Sequence, residues 1–178
     1  MTRYAALLRG INLGSRNRVP MAELRRLLSD LGLADVRTHL QSGNAVFSSD
    51  AGPESLRSRI EGAISRRFGF DVACLMRTGG ELRAVIEANP LADVANDGSR
   101  LMVLFLSDNP DPGLLAHNDP VALDPEGIRI GQRVIYQWCP NGLMAAPPVG
   151  AFVEKRLKLI VTARNWNTVT KLGTLLDT

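Results

Sequence analysis

The chain has 178 residues, is 45% hydrophobic and 22% charged, and carries a net charge of +3, which is the range of one ordinary globular domain or two small ones packed together. No apolar run reaches the roughly 18 residues of a membrane span, and Arg9 interrupts the first apolar run too early for a signal-peptide core. The expectation is a cytoplasmic protein with no membrane partner.

Tyr4–Leu8 is a short apolar run of strand length. Pro20 opens a helix whose Met21, Leu24, Leu28 and Leu31 share one face, and Gly32 ends it. Residues 36–40 alternate as a half-buried strand, Ser42-Gly43-Asn44 turns, and residues 45–48 return as a second strand. Pro53 starts a helix with Leu56, Ile60, Ile64 and Phe68 on one face, and residues 71–76 form a strand. The order β-α-β-β-α-β is that of the split βαβ, ferredoxin-like unit. Thr78 and Glu81 have the spacing of a capping box for a further short helix.

A boundary is placed after residue 88, where Asn, Pro, Asp and Gly accumulate. Beyond it come a strand at 101–106, a brief helix at 114–116, and three short strands at 121–123, 128–130 and 134–138. Helical patterns follow at 151–159 and from about Thr162 to Leu176, with Thr162 as the N-cap. The fold class is α+β: two ferredoxin-like units, 1–88 and 89–178, with antiparallel sheets and helices packed on one face. The last helix is a candidate to pack back near the N-terminal loop.

Charge is unevenly spread. Residues 1–37 carry +4, 38–80 carry +1, 81–128 carry −7 and 129–178 carry +5. Both strongly basic stretches hold a polar, amide-rich segment: Leu8-Arg9-Gly10-Ile11-Asn12-Leu13-Gly14 with Arg16 and Arg18, and Arg164-Asn165-Trp166-Asn167-Thr168 with Lys171. Arginine forks suit carboxylate or phosphate, and helix N-termini favour anions. Neither segment is a Walker loop or a GxGxxG fingerprint. The bland reading of the first is a tight strand-to-helix connection that needs glycines. Gln41-Ser42-Gly43-Asn44 reads either as turn chemistry or as hydrogen-bonding groups beside that loop. Trp166 reads as core or as a stacking platform. His39 and His117 lack the partners of a catalytic pair or a metal site. Cys74 and Cys139 read as inert buried thiols rather than as a disulfide.

The Tyr4–Gly14 segment, Val19-Pro20-Met21, Gln41-Ser42-Gly43-Asn44-Ala45-Val46-Phe47 and Arg164-Asn165-Trp166-Asn167-Thr168-Val169 together closely resemble the bacterial domain-of-unknown-function 1697 family. The resemblance implies a two-part α+β structure with ferredoxin-like halves and no established reaction. It marks Arg9, Gly10, Asn12, Gly14, Gln41, Ser42, Gly43, Asn44, Asn165, Trp166 and Thr168. One departure is Ala145-Ala146-Pro147-Pro148-Val149, standing where relatives often carry a Ser-Lys pair.

The expected function is binding of an anionic ligand: a nucleotide, a phosphorylated metabolite or a nucleic-acid strand. Its site would join the two polar segments and the 41–44 turn, with Arg9, Asn12, Gly14, Gln41, Ser42, Asn44, Arg164, Asn165, Asn167 and Lys171 as ligand-binding residues. No metal or cofactor is implied. A small-molecule enzyme using the same site and a structural or partner-binding module remain open alternatives.

Overall fold

The structure is a computed structural model that describes residues 1–178. Eight strands form two four-stranded antiparallel sheets, ordered β2-β3-β1-β4 and β6-β7-β5-β8. The first sheet comprises β1 (Thr2–Leu8), β2 (Ala34–His39), β3 (Asn44–Ser49) and β4 (Cys74–Thr78), with α1 (Met21–Asp30) and α2 (Pro53–Phe68) as its connections. The second comprises β5 (Leu101–Leu106), β6 (Ile128–Gly131), β7 (Val134–Trp138) and β8 (Val161–Asn165). Its connections include α4 (Pro112–His117) and α5 (Val149–Phe152). Each sheet is followed at once by a helix, α3 (Gly79–Glu87) and α6 (Trp166–Asp177).

By contacts the chain divides into Met1–Arg83 with Lys171–Thr178, and Ala84–Thr170. The division runs through α3 and α6, where the sequence reading drew a single boundary after residue 88.

In the first unit, β1, β3 and β4 turn Tyr4, Ala6, Leu8, Ala45, Phe47, Cys74 and Met76 to one face. Against it pack Met21, Leu24 and Leu28 of α1 and Leu56, Ile60 and Ile64 of α2. Both helices therefore cover one face, as the 3.6-residue spacing of those apolar positions requires. In the second unit Leu104, Leu106, Ile128, Ile135 and Val161 pack in the same way on Val149, Val153 and Leu157, with Leu115 of α4 beside them.

The registers of β1 and β5 with their two neighbours coincide, whereas β2 carries an irregularity between Ala34 and Arg37 that β6 lacks. Ala5 lies between Val46 and Arg77, and Val103 lies between Tyr136 and Arg164. The chain is thus the same β-α-β-β-α-β-α arrangement twice, although no sequence repeat is visible.

The local signals explain the elements well in the first half. Thr78 and Glu81 form the reciprocal capping box, with Thr78 N–H donating to Glu81 Oε2 at 2.8 Å and Glu81 N–H to Thr78 Oγ1 at 3.1 Å. Gly69, at φ 80°, ends α2 in the left-handed conformation.

Three expectations in the second half are corrected. Residues 162–165 are strand β8, not the first turn of a helix, because Val161–Asn165 pairs with β5, which buries Val161 on one face and Thr162 and Arg164 on the other. The true N-cap of α6 is Asn165, whose Oδ1 accepts from Thr168 N–H at 3.0 Å. Residues 120–123 form a 3-10 turn begun by Pro120 and capped by Asp119, not a strand. The helix expected over 151–159 is α5 followed by a π turn, Val153–Leu157, closed by Lys158 at φ 58°.

The end of α6 is held within the first unit by arginines. Arg3 Nη1 donates to Leu176 O, and Arg37 donates to Leu175 O and to Thr178 Oγ1. These bonds satisfy last-turn carbonyls that a helix cannot pair internally. Arg83 adds an exposed ion pair to Asp177.

Two outcomes follow. Asn165→Ala removes the cap of α6 and should cost about 1 kcal/mol in chemical denaturation, whereas Asn165→Asp, which can cap equally, should not. Tyr136 is buried, donates from its hydroxyl to Val85 O at 2.6 Å, and has its pKa pushed up to about 12 by burial. A folded pKa raised above the unfolded value gives stability that is complete below pH about 10 and lost toward pH 12. Alkaline unfolding should therefore be shallower in Tyr136→Phe between those limits.

Candidate functional site

The loop from β1 to α1 and the turn from β2 to β3 meet at one end of the first unit. Leu8 N–H donates to Gly43 O at 2.9 Å, and Arg9 N–H to Ala73 O at 2.9 Å. The Asn12 side chain fastens the loop to the turn: its Nδ2 donates to Gln41 O at 2.7 Å and to Val19 O at 3.0 Å, and its Oδ1 accepts from Val19 N–H at 2.8 Å. Asn17 Nδ2 donates to Gly10 O at 3.1 Å. Asn12 and Asn17 both sit at positive φ, 54° and 50°, which asparagine tolerates better than most residues.

Asn44 is fully buried and donates to His39 O at 2.7 Å and to Ser42 Oγ at 3.0 Å. Gly43 is required twice over. Its φ is +91°, and a Cβ there would lie 2.7 Å from Ile11 Cδ1 and 2.9 Å from Leu8 Cβ. The loop and the turn expected to lie side by side do so, and their asparagines are spent on holding them together.

The groups left facing outward are Arg9, Arg16, Arg18, Gln41 and Ser42, all exposed. Arg18 Nη1 also donates to Gly14 O at 3.2 Å, so Gly14 contributes its carbonyl and a turn at φ 61°. No acidic residue occurs from Arg9 to Ala22. Two large apolar side chains share this end, Leu13 at 62% and Leu40 at 55% exposure. Leu40 has φ 62°, a left-handed conformation that brings its Cβ close to the following carbonyl oxygen and carries strain.

The C-terminal motif is placed differently. Arg164 lies inside β8 at 6% exposure and donates to Thr162 Oγ1 at 2.8 Å and to Ala163 O at 2.9 Å. Arg77 holds the matching position in β4 at 2% exposure, donating to Met76 O at 2.8 Å. A Cβ on Gly98 would collide with Asn167 Oδ1, so Asn167 packs closely on the 89–100 connection. Trp166 is half-buried, neither full core nor open platform. Arg164, Asn165 and Asn167 belong to the second unit, and Lys171, exposed on α6, to the first.

The second unit repeats the loop-to-turn junction with other chemistry. Leu106 N–H donates to Arg133 O and Ser107 N–H to Ile160 O, each at 2.9 Å. Asn109 Oδ1 accepts from Arg133 N–H at 2.8 Å, tying loop to turn as Asn12 does. Here the loop carries Asp108 and Asp111 and no arginine.

Sequence reasoning missed Arg77, Arg37 and Arg3 as structural cations, and Leu13 and Leu40 as presented apolar groups. Arg77 carried a signal, since it interrupts an otherwise apolar strand. Both cysteines are free and buried. Burial, then Asp124, pushes the Cys139 thiol up and away from its reactive thiolate form.

The fold and these motifs define a two-sheet α+β protein with a duplicated split βαβ arrangement. The chain belongs to the family described as "Protein of unknown function (DUF1697)", whose model matches residues 1–136. It is similar to the structure of a conserved bacterial protein, SP0830 from Streptococcus pneumoniae, with 27% identity, a TM-score of 0.68 and coverage of 98% of each chain. No curated protein matches it. No helix is long and apolar enough to cross a membrane.

The junction itself is testable. Gly43→Ala adds a methyl against Ile11 and Leu8 at a left-handed backbone position. It should cost about 1–3 kcal/mol in denaturant unfolding. Gly14→Ala, at φ 61° with open space around it, should cost only about 1 kcal/mol.

Proposed function

We propose that the loop end of the first unit binds an anionic ligand, whether a nucleotide, a phosphorylated metabolite or a nucleic-acid strand. Arg9, Arg16 and Arg18 supply the charge, and Gln41 and Ser42 supply neutral hydrogen-bonding groups. Asn12, Asn44, Gly14 and Gly43 act as the frame that fixes the spacing of these groups. The reading uses the first unit alone. Arg164, Asn165 and Asn167 have structural work in β8 and α6, and nothing in the reading depends on them or on Lys171.

The observation that carries it is the contrast between the repeats. An arginine-rich composition would load both equivalent loops alike. The loop after β1 holds three arginines and no acid between residues 9 and 22, while the loop after β5 holds Asp108 and Asp111 and no base. The equivalent loop is met without arginines of its own, the one cation of that junction being Arg133 in the turn, which donates to Ser107 O at 3.2 Å, so the fold does not require three arginines in the loop. Charge gathered on a frame that does not need it favours an anion from solution.

The test is a thermal-shift and fluorescence-anisotropy series with inorganic polyphosphate, a nucleoside triphosphate and a single-stranded oligonucleotide. The double variant R16E/R18E should keep the wild-type melting temperature and weaken binding by about tenfold or more. Raising salt should weaken wild-type binding to all three. If none of the three binds wild type at low salt, the proposal fails.

A further inference from the structure

The two equivalent loop ends carry opposite charge and similar apolar groups. The first presents Arg9, Arg16 and Arg18 beside Leu13 and Leu40. The second is built from residues 107–124, where Leu101–Ile128 contains five acids and no Lys or Arg, and from the turn before β7, whose one cation, Arg133, folds back to donate to Ser107 O at 3.2 Å. Asp108, Asp111 and Asp119 are exposed there. Leu114 and Leu123 stand among them at 39% and 40% exposure.

The plain explanation of these aspartates is capping. Asp111 Oδ1 accepts from Gly113 N–H at 2.8 Å and from Leu114 N–H at 3.1 Å. Asp119 Oδ1 accepts from Val121 N–H at 2.9 Å. Capping needs an oxygen acceptor, not a charge, and asparagine or serine serves as well. Capping therefore accounts for the positions and leaves the consistent sign unexplained.

We infer that the basic loop end of one copy docks on the acidic loop end of a second copy of this chain. Each surface offers what the other lacks. Arginines face aspartates, and the exposed leucine pair of one end meets that of the other. Exposed ion pairs alone contribute little, so the leucines supply contact area while the charges choose the partner face. The docked surfaces differ, so the contact is heterologous and builds a ring or a chain of copies. This goes beyond ligand binding at the same loop, and it needs no ligand.

The experiment is sedimentation velocity of the full chain over a wide range of concentration, at low and at high salt. Wild type should associate at low salt and dissociate at high salt. Two variants reverse one face each: R16E/R18E, and D108K/D111N, in which asparagine keeps the cap. Each alone should remain monomeric at wild-type melting temperature. An equal mixture of the two should associate, because each retains the face that the other needs. A third variant, L13S/L40S, should weaken association about tenfold while leaving the charges in place.

Wild type that stays monomeric at every concentration at low salt overturns the proposal. So does association that salt and the face reversals leave unchanged, or a mixture that remains monomeric when wild type associates. A monomeric wild type that still binds polyphosphate would defeat self-docking and keep the ligand reading. A self-associating wild type that binds no anion would do the opposite.

Discussion

Each repeat depends on how its first strand is held. β1 and β5 are inner strands, as are β3 and β7, hydrogen-bonded along both edges, and along most of their length both faces are buried. Ala5, Ala6, Leu7 and Leu8 are all at 2% exposure or less, as are Leu101, Val103, Phe105 and Leu106. The enclosed part of such a strand must read as a continuous apolar run, and β1 turns polar only at Thr2 and Arg3, where it is exposed. It must also have every backbone group paired, including the last ones, where the chain leaves the sheet. Those last amides go sideways: Leu8 to Gly43, Arg9 to Ala73, Leu106 to Arg133, and Ser107 to Ile160. The demand for pairing at the strand end is what draws the following loop against the neighbouring turn.

Once loop and turn are side by side, their own polar groups need partners. Asparagine answers that need in both repeats, because one side chain is donor and acceptor together. Asn12 uses both functions across Gln41 and Val19, and Asn109 uses its oxygen on Arg133 N–H. Asparagine also accepts left-handed backbone more readily than branched residues do, and Asn12 has φ 54°. The asparagines that look like ligand groups in sequence are thus the mechanical parts of the junction. The exposed charged side chains around them are arginines in one repeat and aspartates in the other.

The first repeat was legible because its signals are local. Thr78 and Glu81 are three residues apart and satisfy each other. Pro53 and Gly69 bracket α2. The 3.6-residue spacing of Leu24, Leu28, Leu56, Ile60 and Ile64 reports the buried face directly. In the second repeat two cap-forming residues, Thr162 and Asn165, lie three apart ahead of an apolar helix. Only pairing with β5, some sixty residues earlier, decides that the latter is the cap and the former a strand residue. Pro120 likewise turned a short apolar stretch, which reads as a strand in sequence, into a 3-10 turn. Arg164 looked like a surface cation because sequence spacing does not reveal that a sheet is enclosed on both faces. Its burial, and that of Arg77, follows from the register it shares with Val103 and Ala5. Leu40 gave no signal, since nothing in sequence announces a leucine at φ 62°.

A duplicated architecture gives an internal comparison for positions that a single copy leaves ambiguous. Where both copies keep a feature, the fold requires it: the inner-strand register, the paired strand-end amides, an asparagine between loop and turn, and a buried arginine before a capped helix. Where the copies differ, the fold is indifferent and other forces have acted. The charge of the loop after the first strand is such a difference, and it is large, because one loop has only bases and the other only acids. Drift would leave mixed charges at both places. Matching frames thus present surfaces of opposite charge, and the frame itself dictates neither sign.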